Sequence, residues 1–395
     1  MVAVDLGPPR RTAGDAAPAM EPFQQFIVKV HSRCNLSCDY CYVYHHVDQS
    51  WRDRPTVMSA QTIEALADRI GQHAATHALR KLFVLLHGGE PLLAGPAVIE
   101  HVITSVRARV PAATEVDVSV QTNGTLVNDE FLGVFDRHRV AVGVSMDGGR
   151  EAHDRHRRYA DGRPSFDLVK LGLDRLKTHG DIWTGLLLTI DLANDPVRTY
   201  EDLVALRPPS IDLLLPLANW VHPPPHHDPA STRYATWLIR VFDRWFDAPV
   251  RETGVRLFES IIMLILGGAS DTEAIGLDGP RAITIETDGS LEVTDALKTT
   301  APGLGALGMS IHDHSLDEAA GHPAVRATGR GLATLGTGCQ ICPVVTTCGG
   351  GQYSHRFGAD GGFAQPSVYC RDLYRLIAHI RGRVADALEA RGRQH

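Results

Sequence analysis

The run Cys34-Asn-Leu-Ser-Cys38-Asp-Tyr-Cys41-Tyr42 constrains this chain more than any other stretch. It follows directly on the strand-like segment Phe26-Ile-Val-Lys-Val30. Thiolates hold iron–sulfur clusters, and a cubane is normally held by four of them. Three on one short loop, with no fourth close in sequence, leave one iron open to a small molecule. Zinc is the chemical rival, but a structural zinc takes four ligands, commonly as two C-x2-C pairs. Three ordinary buried cysteines are the plain alternative.

At 395 residues the chain is long enough for one large domain and a smaller one. A net charge of −7 argues against a general nucleic-acid surface, which needs a basic excess. No apolar run approaches the roughly 20 residues of a membrane helix. Residues 1–22 are rich in Pro, Ala and Gly, lack the apolar core of a signal peptide, and are expected to form a disordered lead-in. The seven cysteines, odd in number and grouped three plus four, suit reduced cytoplasmic thiols on metal better than disulfides.

From Phe26 to Leu217, short apolar runs alternate with helix-length segments. Strands are expected at Phe26–Val30, Leu82–Leu86, Val116–Gln121, Val140–Ser145, Trp183–Ile190 and Ile211–Leu217. Amphipathic stretches separate them, such as 59–79, where Ile63, Leu66, Ala67 and Ile70 share a face. Repeated β-α units with buried strands mean a parallel sheet flanked by helices. In such barrels the chemistry sits at the C-terminal ends of the strands. The second strand ends in His87-Gly88-Gly89-Glu90-Pro91, the third in Gln121-Thr122-Asn123-Gly124, and the fourth in Ser145-Met146-Asp147-Gly148, with Arg157 beyond it. These polar strand ends are expected to suit one ligand; for Asp147 a cap on the following turn is the alternative.

A Pro-rich insertion follows at 220–229, in which His222, His226 and His227 read as an exposed loop before they read as metal ligands. Two helices are expected next, over 231–246 and 250–266. The second half changes character. Residues 281–294 alternate around Asp288-Gly289 and predict a β-hairpin. Cys339, Cys342, Cys348 and Cys370 then supply four thiolates, enough to close a 4Fe–4S cubane, with a four-cysteine zinc ribbon as the rival for this segment alone.

C-x3-C-x2-C followed by an aromatic, with Gly-Gly-Glu after the next strand, resembles the radical S-adenosylmethionine (SAM) enzymes. The resemblance implies an α/β fold, a partial (βα)6 radical SAM barrel over 23–270, with a C-terminal SPASM-like auxiliary-cluster domain over 271–395. It implies SAM bound at a 4Fe–4S cluster on Cys34, Cys38 and Cys41, with Tyr42, Gly88, Gly89, Glu90, Gln121, Asn123, Ser145 and Arg157 around it. In the family, Gly-Gly-Glu binds the amino group of SAM, a Ser at the fourth strand end contacts it, and an Arg pairs with its carboxylate. A complete SPASM domain has seven cysteines and two clusters. Here Gly276, Thr294 and Gln352 stand where ligands of the inner cluster would be. One auxiliary 4Fe–4S cluster is therefore expected, on Cys339, Cys342, Cys348 and Cys370. Asp295 matches an aspartate that takes a proton from substrate in the sulfatase-maturing branch; an Asp bonding its own backbone at a hairpin end is the alternative.

Blocks such as Gln49-Ser-Trp51-Arg52-Asp53-Arg54-Pro55 and Cys348-Gly-Gly-Gly351-Gln-Tyr353-Ser-His355-Arg356 look closest to the FxsB-type peptide-modifying members. That resemblance implies a ribosomally made precursor peptide as substrate, joined by a C–C bond between a β-carbon and an aromatic ring (a cyclophane). It also implies an electron donor such as flavodoxin or ferredoxin. With so short a stretch before the first strand, no separate leader-binding module is expected. The rival activity is oxidation of Cys or Ser to formylglycine, and a non-catalytic metal-bearing interaction protein is a third reading.

Overall fold

The computed structural model describes residues 22–279, 281–329 and 331–393. The lead-in expected over residues 1–22 lies outside this range except for Pro22. Ten strands form one sheet in the order β10-β9-β8-β1-β2-β3-β4-β5-β6-β7. The first six are β1 (Gln25–His31), β2 (Lys81–Gly88), β3 (Glu115–Thr122), β4 (Ala141–Ser145), β5 (Trp183–Thr189) and β6 (Ser210–Leu214), all parallel neighbours in chain order. Their alternate residues, Val28, Leu86, Val120, Val144, Leu188 and Leu213 among them, are buried. These are the six expected strands, each within a few residues of its expected bounds.

Helices cross over between strands: α1 (Ala60–Thr76), α2 (Pro96–Arg109), α3 (Asp129–His138), α4 (Arg150–His156), α5 (Phe166–Leu176) and α6 (Pro196–Val204). Ser59 caps α1 through its hydroxyl, Asn128 caps α3 and Asp195 caps α6, each accepting a backbone N–H. Helix α7 (Arg233–Phe246) is as expected. The next expected helix is split: Gly254–Val255 extends the sheet as β7, and α8 runs only over Arg256–Ile265.

The expected hairpin is present as β8 (Ala282–Ile285) and β9 (Ser290–Glu292), antiparallel, with β10 (Ala306–Ser310) outside it. Its placement is not legible locally. Strand β8 pairs in parallel with β1, Phe26 opposite Ile283, so the hairpin extends the barrel sheet. The chain then passes through the short helices α9 (Leu316–Ala320), α10 (Pro323–Thr328), α11 (Thr337–Gln340) and α12 (Val345–Cys348) to the long α13 (Cys370–Gly392), which packs on α7 and α8. Among the described residues no helix is long and apolar enough to cross a membrane.

Candidate active site

Strand β1 feeds directly into the cysteine loop, which lies across the end of β2. The N–H of Gly89 donates to the His31 carbonyl (2.9 Å) and that of Glu90 to the Arg33 carbonyl (3.0 Å). Two glycines permit this approach. A Cβ on Gly88 would stand 2.2 Å from the His31 carbonyl oxygen, and one on Gly89 would stand 1.8 Å from the Tyr44 hydroxyl. On the other side, Ser37 N–H donates to the Arg158 carbonyl at 2.7 Å. Cys34, Cys38 and Cys41 thus face one cavity of about 810 Å³, at the C-terminal ends of the strands, with Gly88, Gly89 and Tyr42 in the same wall. Pro223 to His226 of the Pro-rich insertion also line it, which makes that segment part of the cavity wall.

Gln121, Asn123, Ser145 and Arg157 line this cavity as well. Gln121 donates to the Ser145 hydroxyl at 2.9 Å, and Gly143 leaves the room its amide needs. Asn123 donates to Asn35 Oδ1 (2.8 Å) and so ties the third strand end to the cysteine loop. Glu90 is placed differently. Its carboxylate points behind the wall, accepting from Thr122 Oγ1 (2.7 Å), Asn123 N–H (2.7 Å) and Leu92 N–H (3.0 Å). Burial pushes its pKa up to about 7 against those three bonds. In this geometry Glu90 braces the strand ends, while the two glycines face the cavity.

Arg157 is anchored by Asp147, a strand-end residue for which the sequence gives no partner. Its Nε donates to Asp147 Oδ2 at 2.9 Å, and the Tyr40 hydroxyl donates to the same oxygen. Burial opposes the guanidinium charge, but Asp147 and Tyr40 outweigh it and hold its pKa above the usual value. Behind them, buried His153 pairs through Nε2 with Ser165 Oγ (3.0 Å), which donates to the Arg157 carbonyl (2.7 Å). Burial and then the Arg157 charge bring the His153 pKa down to about 4. The ring is neutral in the fold and takes up a proton more readily when unfolded. Its contribution is therefore complete above the ordinary pKa of 6.5 and is lost as pH falls from 6.5 toward 4. That loss should be about 3 kcal/mol, and denaturant melts of His153→Gln should show a correspondingly shallower pH dependence than wild type across this window.

The least legible part of the site is a buried ion pair. Lys29, inside the apolar β1, donates to Asp295 Oδ2 at 2.5 Å, and the Tyr42 hydroxyl donates to the same oxygen at 2.7 Å. Lys29 also lies 3.2 Å from His87 Nδ1. Burial alone would raise the Asp295 pKa, but the Lys29 and His87 interactions and these hydrogen bonds hold the carboxyl well below the usual range. Tyr42 and His87 line the cavity, and Asp295 sits behind them. Sequence reasoning named Asp295 and Tyr42 for separate roles; the fold joins them. Lys29 and His87 were missed. The available signal was a lysine interrupting Phe26-Ile-Val-Lys-Val30 in a chain whose only other lysines are Lys81, Lys170, Lys177 and Lys298.

The second cysteine set also converges. Cys339, Cys342, Cys348 and Cys370 line one pocket beside Val344 and Tyr374. Gly349, Gly350 and Gly351 turn the chain there with φ of 59°, 78° and 70°, and Arg356 donates to the carbonyls of all three. The positions that lack inner-cluster cysteines have structural uses. Thr294 caps the turn holding Asp295, Gln352 donates to Glu273, and the Gly276 carbonyl lies where a Cβ on Gly349 would clash. Burial raises the thiols of Cys38 and Cys348 to about 12, so holding them as thiolates calls for a bound cation. A single zinc would draw its sulfurs to roughly 3.8 Å of one another. Among the described residues, the one group of three donor atoms within 4.8 Å is elsewhere, at His73, His77 and Asp317. Both cysteine sets are more open than a single-ion site, and they fit a multi-iron cluster.

A parallel sheet with three loop cysteines and a strand-end cavity at its mouth defines the class of radical SAM enzymes. The radical SAM superfamily model matches residues 28–203, from β1 into α6. This region, a little under half of the chain, matches the radical SAM superfamily. The chain is 24% identical over 387 residues to a serine-type anaerobic sulfatase-maturating enzyme of Bacteroides thetaiotaomicron, covering 92% of this chain and 91% of the relative. The structure of native anSMEcpe with bound AdoMet and Kp18Cys peptide superposes with a TM-score of 0.79 at 20% identity, covering 93% of this chain and 99% of that one. Streptococcus suis SuiB bound to its precursor peptide SuiA gives 0.56 at 12% identity, covering 89% and 76%.

Proposed function

We propose that this protein is a radical SAM maturase that oxidises a side-chain β-carbon of a peptide substrate and joins it to an aromatic ring, in the manner of the FxsB-type enzymes it resembles. The observation that carries the reading is the single cavity shared by Cys34, Cys38, Cys41, Gln121, Ser145 and Arg157, with the Lys29–Asp295–Tyr42 cluster against its wall. With SAM and two 4Fe–4S clusters bound, the cofactors supply a 5′-deoxyadenosyl radical and a one-electron sink.

The chain's own residues do the rest. Arg157 offers a fixed cation to a carboxylate, with Ser145 and Gln121 beside it. The apolar side chains of Leu187, Leu192, Leu214 and Leu217 exclude water from the remaining wall. In the crosslink, the β-carbon loses a hydrogen atom and bonds to a ring carbon, and the ring then releases one proton and one electron. Restoring aromaticity makes that proton strongly acidic, so a weak base suffices. Asp295 receives it through the Tyr42 hydroxyl, which spans the distance from cavity to carboxylate. The division at 270/271 is proposed on the same basis: the first part generates the radical, and the second supplies Asp295 and the auxiliary thiolates.

The sulfatase-maturating relatives favour a second reading, formation of formylglycine from Ser or Cys. Incubating the reconstituted enzyme with its precursor peptide, sought among the open reading frames next to its gene, should yield a product lighter by two hydrogens. Ser-derived formylglycine has that same mass change, so hydrazide labelling decides. An unreactive product with fragmentation blocked across an aromatic-containing segment supports the crosslink; a labelled aldehyde establishes the second reading.

A further inference from the structure

Away from the cavity, three side chains from distant parts of the chain meet at one point. His73 and His77 stand one turn apart at the C-terminal end of α1, and Asp317 stands in the first turn of α9. Asp317 Oδ1 lies 2.5 Å from His73 Nδ1 and 2.8 Å from His77 Nε2. The two rings are 4.6 Å apart between centroids. The His73 side chain is 1% exposed, against 33% for Asp317 and 23% for His77.

The partners of His73 define its tautomer. Nε2 lies 3.2 Å from the Phe23 backbone carbonyl, which can only accept, so Nε2 carries the hydrogen. A neutral ring then aims the Nδ1 lone pair at a carboxylate oxygen, placing two acceptors face to face. Either a proton or a metal cation must lie between them. An imidazole whose far N–H is held by a backbone carbonyl is the usual arrangement for a metal-bound histidine. Histidines at i and i+4 on one helix face, joined by a carboxylate, are a familiar zinc ligand set.

We propose that His73 Nδ1, His77 Nε2 and Asp317 form a site for one zinc-class divalent cation that clasps α1 of the barrel to α9 of the C-terminal half. The fourth position goes to water. Zinc bonds of about 2.0–2.2 Å set tetrahedral donors roughly 3.3 Å apart, so binding needs an outward shift of Asp317 by less than 1 Å. Asp317 sits at the surface on a short helix, closed by the Ser315–Glu318 capping box. The position after His73 is Ala74, and no carboxylate base stands there. The site holds two elements together and has no group to activate water for hydrolysis.

The test uses the full chain with its iron–sulfur clusters loaded, so that the cysteines are occupied. After incubation with Zn²⁺ and gel filtration, wild type should retain about one zinc beyond its iron. His77→Ala and Asp317→Asn should bind Zn²⁺ at least about 100-fold more weakly, with iron content unchanged. Zinc retained by either variant at the wild-type level, or absent from wild type, overturns the proposal. If a variant fails to fold, X-ray absorption at the zinc edge of the wild-type protein decides alone. A nitrogen and oxygen shell at about 2.0–2.1 Å supports the site, and sulfur at about 2.3 Å overturns it.

Discussion

Replacing Cys34, Cys38 and Cys41 together by alanine should abolish 5′-deoxyadenosine formation and lower the iron content from about eight atoms per chain to about four. The loop itself should survive. Backbone bonds from Gly89, Glu90 and Ser37 hold it in place. The two halves of the result test different statements. Persistent SAM cleavage would remove this loop from the chemistry. An iron content of about twelve in the wild type would mean an additional cluster and would refute the assignment of a single auxiliary set to Cys339, Cys342, Cys348 and Cys370. The remaining four irons in the triple variant should report that set alone, spectroscopically separated from the first.

The second large effect is expected at Asp295. Asp295→Asn keeps the shape and can still accept from Tyr42, but it cannot hold a proton. Modified peptide should fall by about 100-fold or more, while deoxyadenosine still forms. Iron content must stay at about eight for the result to count, because the substitution leaves Lys29 buried without its counter-charge, a loss that costs about 3–5 kcal/mol when a pair is fully buried. Full turnover in Asp295→Asn would exclude it as the proton acceptor. Loss of deoxyadenosine as well as product would instead make the Lys29–Asp295 pair a structural support of the cysteine loop, since Lys29 lies on the strand that enters it.

Much of this architecture is legible in the residues themselves, for identifiable reasons. Short apolar runs with alternate residues buried, each followed by a helix-length segment, repeat along the chain, so all six barrel strands stand out. The cysteine sets are legible because thiols at short fixed spacings have few other uses. What escapes is what depends on long-range pairing. Lys29 and Asp295 are 266 positions apart, and nothing local to either announces the other. Asp147 shows the opposite difficulty: its local context supports a turn cap, and only the fold reveals its ion pair with Arg157. Glu90 is a third kind of case. Its motif is visible, yet two of the three donors that occupy its carboxylate, Thr122 and Asn123, come from another strand end and are set by tertiary packing, while the Leu92 N–H is local.

The pairing of β8 with β1 has a consequence for how the molecule is made. Among the described strands β1 leaves the ribosome first, and its second neighbour arrives about 250 residues later. Until then one edge of the strand leading into the cysteine loop has open backbone groups, and Lys29 on that strand has no carboxylate to meet. Contacts of such long sequence separation form slowly. The nascent chain therefore passes through a period in which the radical-generating loop exists without the residues proposed to quench its product. On the proposed role of Asp295, the proton acceptor is in place only once the last quarter of the chain docks.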